Sequence, residues 1–123
     1  MSMIRAKNTK PETALRKMIY LAGARGYRLH AALPGKPDIY FPKKRIAVFV
    51  DGCFWHGCPY CKLNPVTNRS FWKNKITANR ARDRKNTRRL RRNKIHVIRI
   101  REHQLKRYPD KYTAKIISIL KER

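Results

Sequence analysis

The fold turns on the stretch DIYFPKKRIAVFVD, residues 38–51. Asp38-Ile39-Tyr40-Phe41 is apolar, aromatic and short, which reads as a strand. Lys43 and Lys44 mark a tight turn, and Arg45 to Val50 run back as a second strand. This return strand has no polar alternation, so it is expected to be buried on both faces in the middle of a sheet. Each strand carries an acid at its outer end. In an antiparallel pair joined by a short turn those ends lie side by side. Asp38 and Asp51 are therefore expected at contact distance, the arrangement in which two carboxylates share a divalent cation.

On the N-terminal side, Thr9-Lys10-Pro11-Glu12 reads as a helix start, and Leu15, Met18, Ile19 and Ala22 recur at helical spacing before Gly23 and Gly26. Glu12 sits where a capping box wants its carboxylate, which is its purely structural reading. Tyr27 to Ala32 reads as a further short strand, separated from the hairpin by the turn Leu33-Pro34-Gly35-Lys36-Pro37. Downstream, Ser70 can cap a long helix from Phe71 to about Arg92, with Trp72, Ile76, Ala78 and Ala81 as a thin apolar stripe. Ile95 to Ile100 is a fourth strand ending in Glu102-His103, and Asp110 caps a last helix with Tyr112, Ile116, Ile117 and Leu120 on one side. The expectation is an α/β fold, a single domain over residues 1–123, with a mixed central β-sheet flanked by α-helices.

The charge balance names a class of partner. Thirty-two Lys and Arg face seven Asp and Glu, a formal charge of +25. Self-repulsion of that size is offset by a polyanion, and nucleic acid is the usual one. The longest apolar run is far too short to span a membrane, and residues 1–5 contain no apolar signal segment. A cytoplasmic protein held near DNA is the expectation. The long helix carries Arg80, Arg84 and Arg88 among many other cations, and like charges four apart destabilise a helix unless phosphates neutralise them.

All three cysteines fall within VDGCFWHGCPYC, residues 50–61. In a reducing compartment they are better suited to metal than to disulfides. Cys53, Cys58 and Cys61 with His103 would close a tetrahedral structural zinc site, although His30, His56 and His96 are also available as the fourth ligand. The alternative is three buried free thiols. Asp38 is suited to a magnesium ion that polarises a scissile phosphate. His56, with a carboxylate partner, can deprotonate water at neutral pH, or it is a plain loop histidine. Phe54 and Trp55, and Trp72 further on, are either core or a wedge that stacks between bases.

With these residues in hand, the chain resembles the very short patch repair endonucleases, which nick DNA at T:G mismatches. The resemblance rests on Asn8-Thr9-x-x-Glu12, Leu33-Pro34-Gly35-Lys36-Pro37-Asp38, Gly52-Cys53-Phe54-Trp55-His56, Pro65-x-Thr67-Asn68, Phe71-Trp72, Arg82-Asp83-Arg84 and Val97-Ile98-x-Ile100-x-Glu102-His103. It implies a restriction-endonuclease-like core, magnesium-dependent hydrolysis of double-stranded DNA and a structural zinc. By position it implies Asp38 as metal-binding aspartate, Glu12 as a further active-site acid, His56 as general base and Asp83 as its supporting carboxylate. Phe54, Trp55 and Trp72 match aromatics that intercalate beside the mismatch, and Cys53 and His103 fall at the first and last zinc-ligand positions. Two departures stand out. Where some members have Thr-His, this chain has Val50-Asp51, so the Val50 carbonyl would bind magnesium and Asp51 would add a carboxylate. Cys58 and Cys61 take the middle zinc positions where some relatives use a His and a nearer Cys.

The rival readings are a sequence-specific restriction or homing-type endonuclease on the same core, and a non-catalytic zinc-containing module that bends DNA. Four of the seven acids, Glu12, Asp38, Asp51 and Asp83, fall at the proposed active site, which favours an enzyme over the module. A monomer is expected.

Overall fold

The structure is a computed structural model and describes residues 10–52 and 69–122, apart from the side chains of Arg69, Ser70 and Trp72. Its elements are α1 (Lys10–Leu21), β1 (Arg28–Leu29), β2 (Ile39–Phe41), β3 (Ile46–Asp51), α2 (Arg69–Arg92), β4 (His96–Arg101), α3 (Glu102–Arg107) and α4 (Pro109–Glu122). The four strands form one sheet in the order β1-β2-β3-β4. β1 and β2 pair antiparallel, as do β2 and β3, whereas β3 and β4 run parallel with α2 as the crossover.

The apolar run at 46–50 behaves as its composition demands. All six residues of β3 are buried, with β2 along one edge and β4 along the other. The register places Ile39 opposite Val48 and Ala47 beside Val97. Side chains alternate across the strand, so each face of the sheet collects its own core. Ile46, Val48 and Val50 join Ile39, Phe41, Ile98 and Ile100 on one face, where Leu15 and Ile19 of α1, Leu105 of α3 and Ile116 of α4 cover them. Ala47 and Phe49 lie on the other face with Val97, Ile95 and Leu90 of α2. The result is a mixed sheet between two helical layers, which fits a restriction-endonuclease-like core.

Three details differ from the sequence reading. The first strand is two residues long, Arg28–Leu29, because the backbone turns left-handed at Gly26 (φ 76°) and again at His30 (φ 51°). A short helix, α3, follows β4 directly and contains Glu102 and His103. The stripe that α2 turns toward the sheet matches the expected apolar one only in part, since Ile76 is half-buried. Ala78 and Ala81 are exposed, whereas Asn79 and Leu90 are buried and Asp83, Asn86 and Thr87 half-buried. Those five positions repeat at helical spacing, so among the described side chains α2 is seated by Leu90, half-buried Ile76 and a row of polar groups. The turn 33–37 closes against the same side. A Cβ on Gly35 (φ 81°) would stand 3.2 Å from the Phe49 ring and 3.3 Å from the Asn86 amide nitrogen, so both conformation and space require glycine there.

Candidate active site

Glu12 enters from the first turn of α1, and Asp38 stands immediately before β2. Their relative exposures are 1% and 2%, which matters because a buried carboxylate is costly unless something compensates its charge. Part of the compensation for Asp38 is a hydrogen bond in which the Val50 N–H donates to its Oδ2 at 2.7 Å. That bond also brings Val50 of β3, the residue whose carbonyl is expected to bind magnesium, next to Asp38. His30 completes the group. Continuing the β1–β2 register (Arg28 with Tyr40, Leu29 with Ile39) puts His30 opposite Asp38, and the His30 N–H donates to the Asp38 carbonyl at 3.3 Å.

The reactive atoms of these three residues converge. His30 Nε2 lies 3.2 Å from Glu12 Oε1, yet both atoms are buried and neither makes a hydrogen bond. Ligand atoms of Glu12, His30 and Asp38 all lie within 4.8 Å of one another, and among the described residues this is the group arranged to hold a metal ion. Two carboxylates and an imidazole suit a divalent cation by charge and donor type. A cavity of about 310 Å³ lined by Arg91, Lys94, Ile95, His96 and Val97 sits at the far end of β4 and contains no acid, so it lies away from this chemistry.

Asp51 is not a member of the group. It shares the Phe49 face of β3, because positions two apart on a strand point the same way, and that face looks toward α2. There the Arg99 guanidinium holds it: Nη1 donates to Asp51 Oδ1 at 2.9 Å and Oδ2 at 3.2 Å. The same guanidinium donates from Nε to Thr87 Oγ1 at 2.9 Å and from Nη2 to the Asp83 carbonyl at 3.4 Å, and it lies 4.1 Å over the Phe49 ring. The hairpin brings both acids to one end of the sheet, as its turn requires, but Asp38 faces α1 and Asp51 faces α2. Arg99 thereby ties β3, β4 and α2 together.

The profile of the DNA mismatch endonuclease Vsr family matches residues 1–62, which is half of the chain and includes Glu12, His30, Asp38 and Asp51. The chain belongs to the Vsr family. Similar proteins include the type II nicking enzyme V.XorIIP of Xanthomonas oryzae pv. oryzae, 50% identical over 86 residues, 68% of this chain and 62% of that protein. The type II nicking enzyme V.HpaIIP of Haemophilus parainfluenzae is 34% identical over 119 residues, 95% of this chain and 84% of that protein. The DNA mismatch endonuclease Vsr of Escherichia coli is 36% identical over 92 residues, 73% and 58% of the two chains. The chain thus spans a little under two thirds of the Xanthomonas protein.

Against the Vsr resemblance, the described residues place the acids as follows. Glu12 and Asp38 are brought together; Asp83 lies half-buried on the sheet-facing side of α2, close to Arg99. Arg80, Arg84 and Arg88 are exposed one turn apart along α2, forming a single cationic rail. His103 is half-buried in the first turn of α3. Cys53, Phe54, Trp55, His56, Cys58 and Cys61 lie outside the described residues, as does the side chain of Trp72. Among the described residues no helix is long and apolar enough to cross a membrane. His30, considered on sequence only as one of several zinc candidates, is the group that sequence reasoning missed. Its signal is the register, which pairs position 30 with position 38 once the first strand is known to end at Leu29.

Proposed function

We propose that this chain is a magnesium-dependent endonuclease that nicks one strand of double-stranded DNA at T:G mismatches, in very short patch repair. The observation that carries the reading is the buried pair of carboxylates, Glu12 and Asp38, inside a protein of formal charge +25. An anionic pocket in a polycation is a place for a divalent ion between protein and phosphate. Asp38, the Val50 carbonyl and Glu12 would hold the magnesium. When bound, it supplies Lewis-acid polarisation of the scissile phosphate. His56, supported by Asp83, takes a proton from water; the hydroxide formed attacks phosphorus as the bond to the leaving sugar oxygen breaks, and that oxygen is protonated by solvent. Cys53, Cys58, Cys61 and His103 bind zinc as a structural brace. Phe54, Trp55 and Trp72 insert beside the mismatch. Asp51 acts through Arg99 to hold β3 against α2. In this reading the chain is one domain over 1–123, a monomer of the cytoplasm that works on nucleoid DNA.

The test is a pair of otherwise identical duplexes, one with a T:G mismatch and one with T:A at the same position. With magnesium, the first is expected to be nicked in one strand and the second left intact; equal cleavage of both removes the mismatch reading. That second outcome has a specific motivation, since the relatives include proteins named type II nicking enzymes, and it would point to a sequence-specific nicking enzyme.

The rail on α2 gives a separate expectation. Replacing Arg80, Arg84 and Arg88 by glutamine should weaken binding to matched and mismatched DNA alike. The slope of log K against log salt should fall by about 0.9 for each phosphate that α2 no longer neutralises. An unchanged salt slope would show that α2 faces away from the duplex.

A further inference from the structure

We infer that His30 is a ligand of the catalytic cation and that its imidazole makes the site select a transition-metal divalent ion over magnesium. The inference rests on the proposed cation site at Asp38 and adds to it a third donor and an ion preference.

Three observations lead there. Glu12 is 1% exposed, and its Oε1 has no hydrogen bond although it is fully enclosed. A buried acceptor in that state is short of a hydrogen-bond partner, a deficit that a bound cation would fill. His30 Nε2 is equally enclosed and equally without a hydrogen bond. The two atoms are 3.2 Å apart, but their orientation does not make them donor and acceptor to one another. Two adjacent ligands, each about 2.1 Å from an octahedral ion, stand about 3.0 Å apart, so the observed separation suits two lone pairs aimed at one cation. Asp38 completes the set, with all three ligand atoms inside 4.8 Å of one another.

The backbone supports the same orientation. His30 is held in the left-handed region, φ 51°, by the turn after β1, and its N–H is fixed to the Asp38 carbonyl. The residue that offers the nitrogen is therefore built onto the residue that offers the carboxylate. Its side chain is 18% exposed, against 2% for Glu12, so the imidazole is the more solvent-exposed of the two.

Donor type then determines ion choice. Oxygen-only sites suit magnesium, whereas an imidazole nitrogen strengthens binding of Mn²⁺, Co²⁺ and later ions. Magnesium would still be bound through the two carboxylates and would lose little if His30 were removed. Mn²⁺ would lose a ligand.

The experiment uses the intact protein and Mn²⁺ alone, followed by electron paramagnetic resonance. Wild type is expected to bind Mn²⁺ more tightly than Mg²⁺, measured by competition, and its pulsed spectrum to show coupling to an imidazole nitrogen. In His30→Gln the nitrogen coupling should disappear. Mn²⁺ affinity should fall by about tenfold or more, the scale on which metal sites respond even to loss of outer partners. Mg²⁺ affinity should change far less. His56→Gln, His96→Gln and His103→Gln should each keep the nitrogen signal, which assigns it by elimination among the four histidines to His30 even if His30→Gln does not fold. Two failures are distinct. If wild type does not bind Mn²⁺, or Asp38→Asn binds it unchanged, the cation site itself is overturned. If binding depends on Asp38 but the nitrogen coupling is absent, or persists in His30→Gln, the role of His30 alone is overturned.

Discussion

Asp38→Asn is expected to lower magnesium-dependent nicking by on the order of 10²–10³-fold, the scale on which a single preorganised charge contributes to transition-state stabilisation. The substitution is well suited to the site because it separates charge from shape. Asparagine keeps a side-chain oxygen that can accept the Val50 N–H now bonded to Asp38 at 2.7 Å. What it removes is a negative charge only 2% exposed and close to a second buried carboxylate, Glu12. Removing a repelled, desolvated charge relieves the fold. In the absence of divalent ions the variant should therefore resist urea as well as wild type or better, while activity is lost. Added Mg²⁺ should raise the stability of wild type by mass action and leave the variant unmoved. A variant that nicks at the wild-type rate, or one that loses activity only because it unfolds, would count against Asp38 as the metal-binding residue.

Arg99→Met is expected to be the costliest substitution for stability. Methionine replaces the aliphatic stem but neither the guanidinium over Phe49 nor the donors to Asp51, Thr87 and the Asp83 carbonyl. Asp51 is 8% exposed, and breaking a buried pair from one side leaves an uncompensated charge, typically a loss of about 3–5 kcal/mol. The Arg99 side chain is 21% exposed, so solvent screens part of this, and a loss of about 2–3 kcal/mol in urea unfolding is expected. Asp51→Asn in the Arg99→Met background should recover part of it, because the stranded charge goes. Strictly additive effects of the two changes would show that the pair is not coupled. Arg99→Lys should not restore the wild-type value, since one ammonium cannot span three acceptors in a plane.

The parts of this fold that could be read from sequence are those where one physical effect dominates. Residues 46–50 are apolar without interruption, so burial on both faces left no choice for β3. The stripes of α1 and α4, Leu15 and Ile19 on one and Ile116 on the other, follow a helical period and pack where that period aims them. Two readings fail where a second effect intervenes. The hairpin predicts Asp38 and Asp51 in contact because it brings their positions together, but proximity of strand ends does not determine which face each side chain takes. The bond from Val50 N–H fixes Asp38, and alternation turns Asp51 toward Arg99. Similarly, the apolar residues of α2 coincide only in part with its buried ones: Leu90 is buried, but Ala78 and Ala81 are exposed. Thr87 and Asp83 are on the sheet side, where Arg99 donates to the Thr87 hydroxyl and the Asp83 carbonyl, and apolar periodicity is silent about a polar interface. His30 is obscured by a strand drawn too long, which conceals the register that sets it beside Asp38.

The parallel pairing of β3 with β4 also bears on how the chain folds. The β2–β3 hairpin closes over a short turn, but the partner on the other edge of β3 is separated from it by the whole of α2. Contacts that distant in sequence form late, since the loop between them must first be closed. Until β4 docks, β3 presents Ile46-Ala47-Val48-Phe49-Val50 as a bare edge with no charge in it, the composition that recruits a second chain. The cations that follow on α2 repel like copies during that interval, so the segment suited to hold phosphate also guards the nascent sheet against self-association.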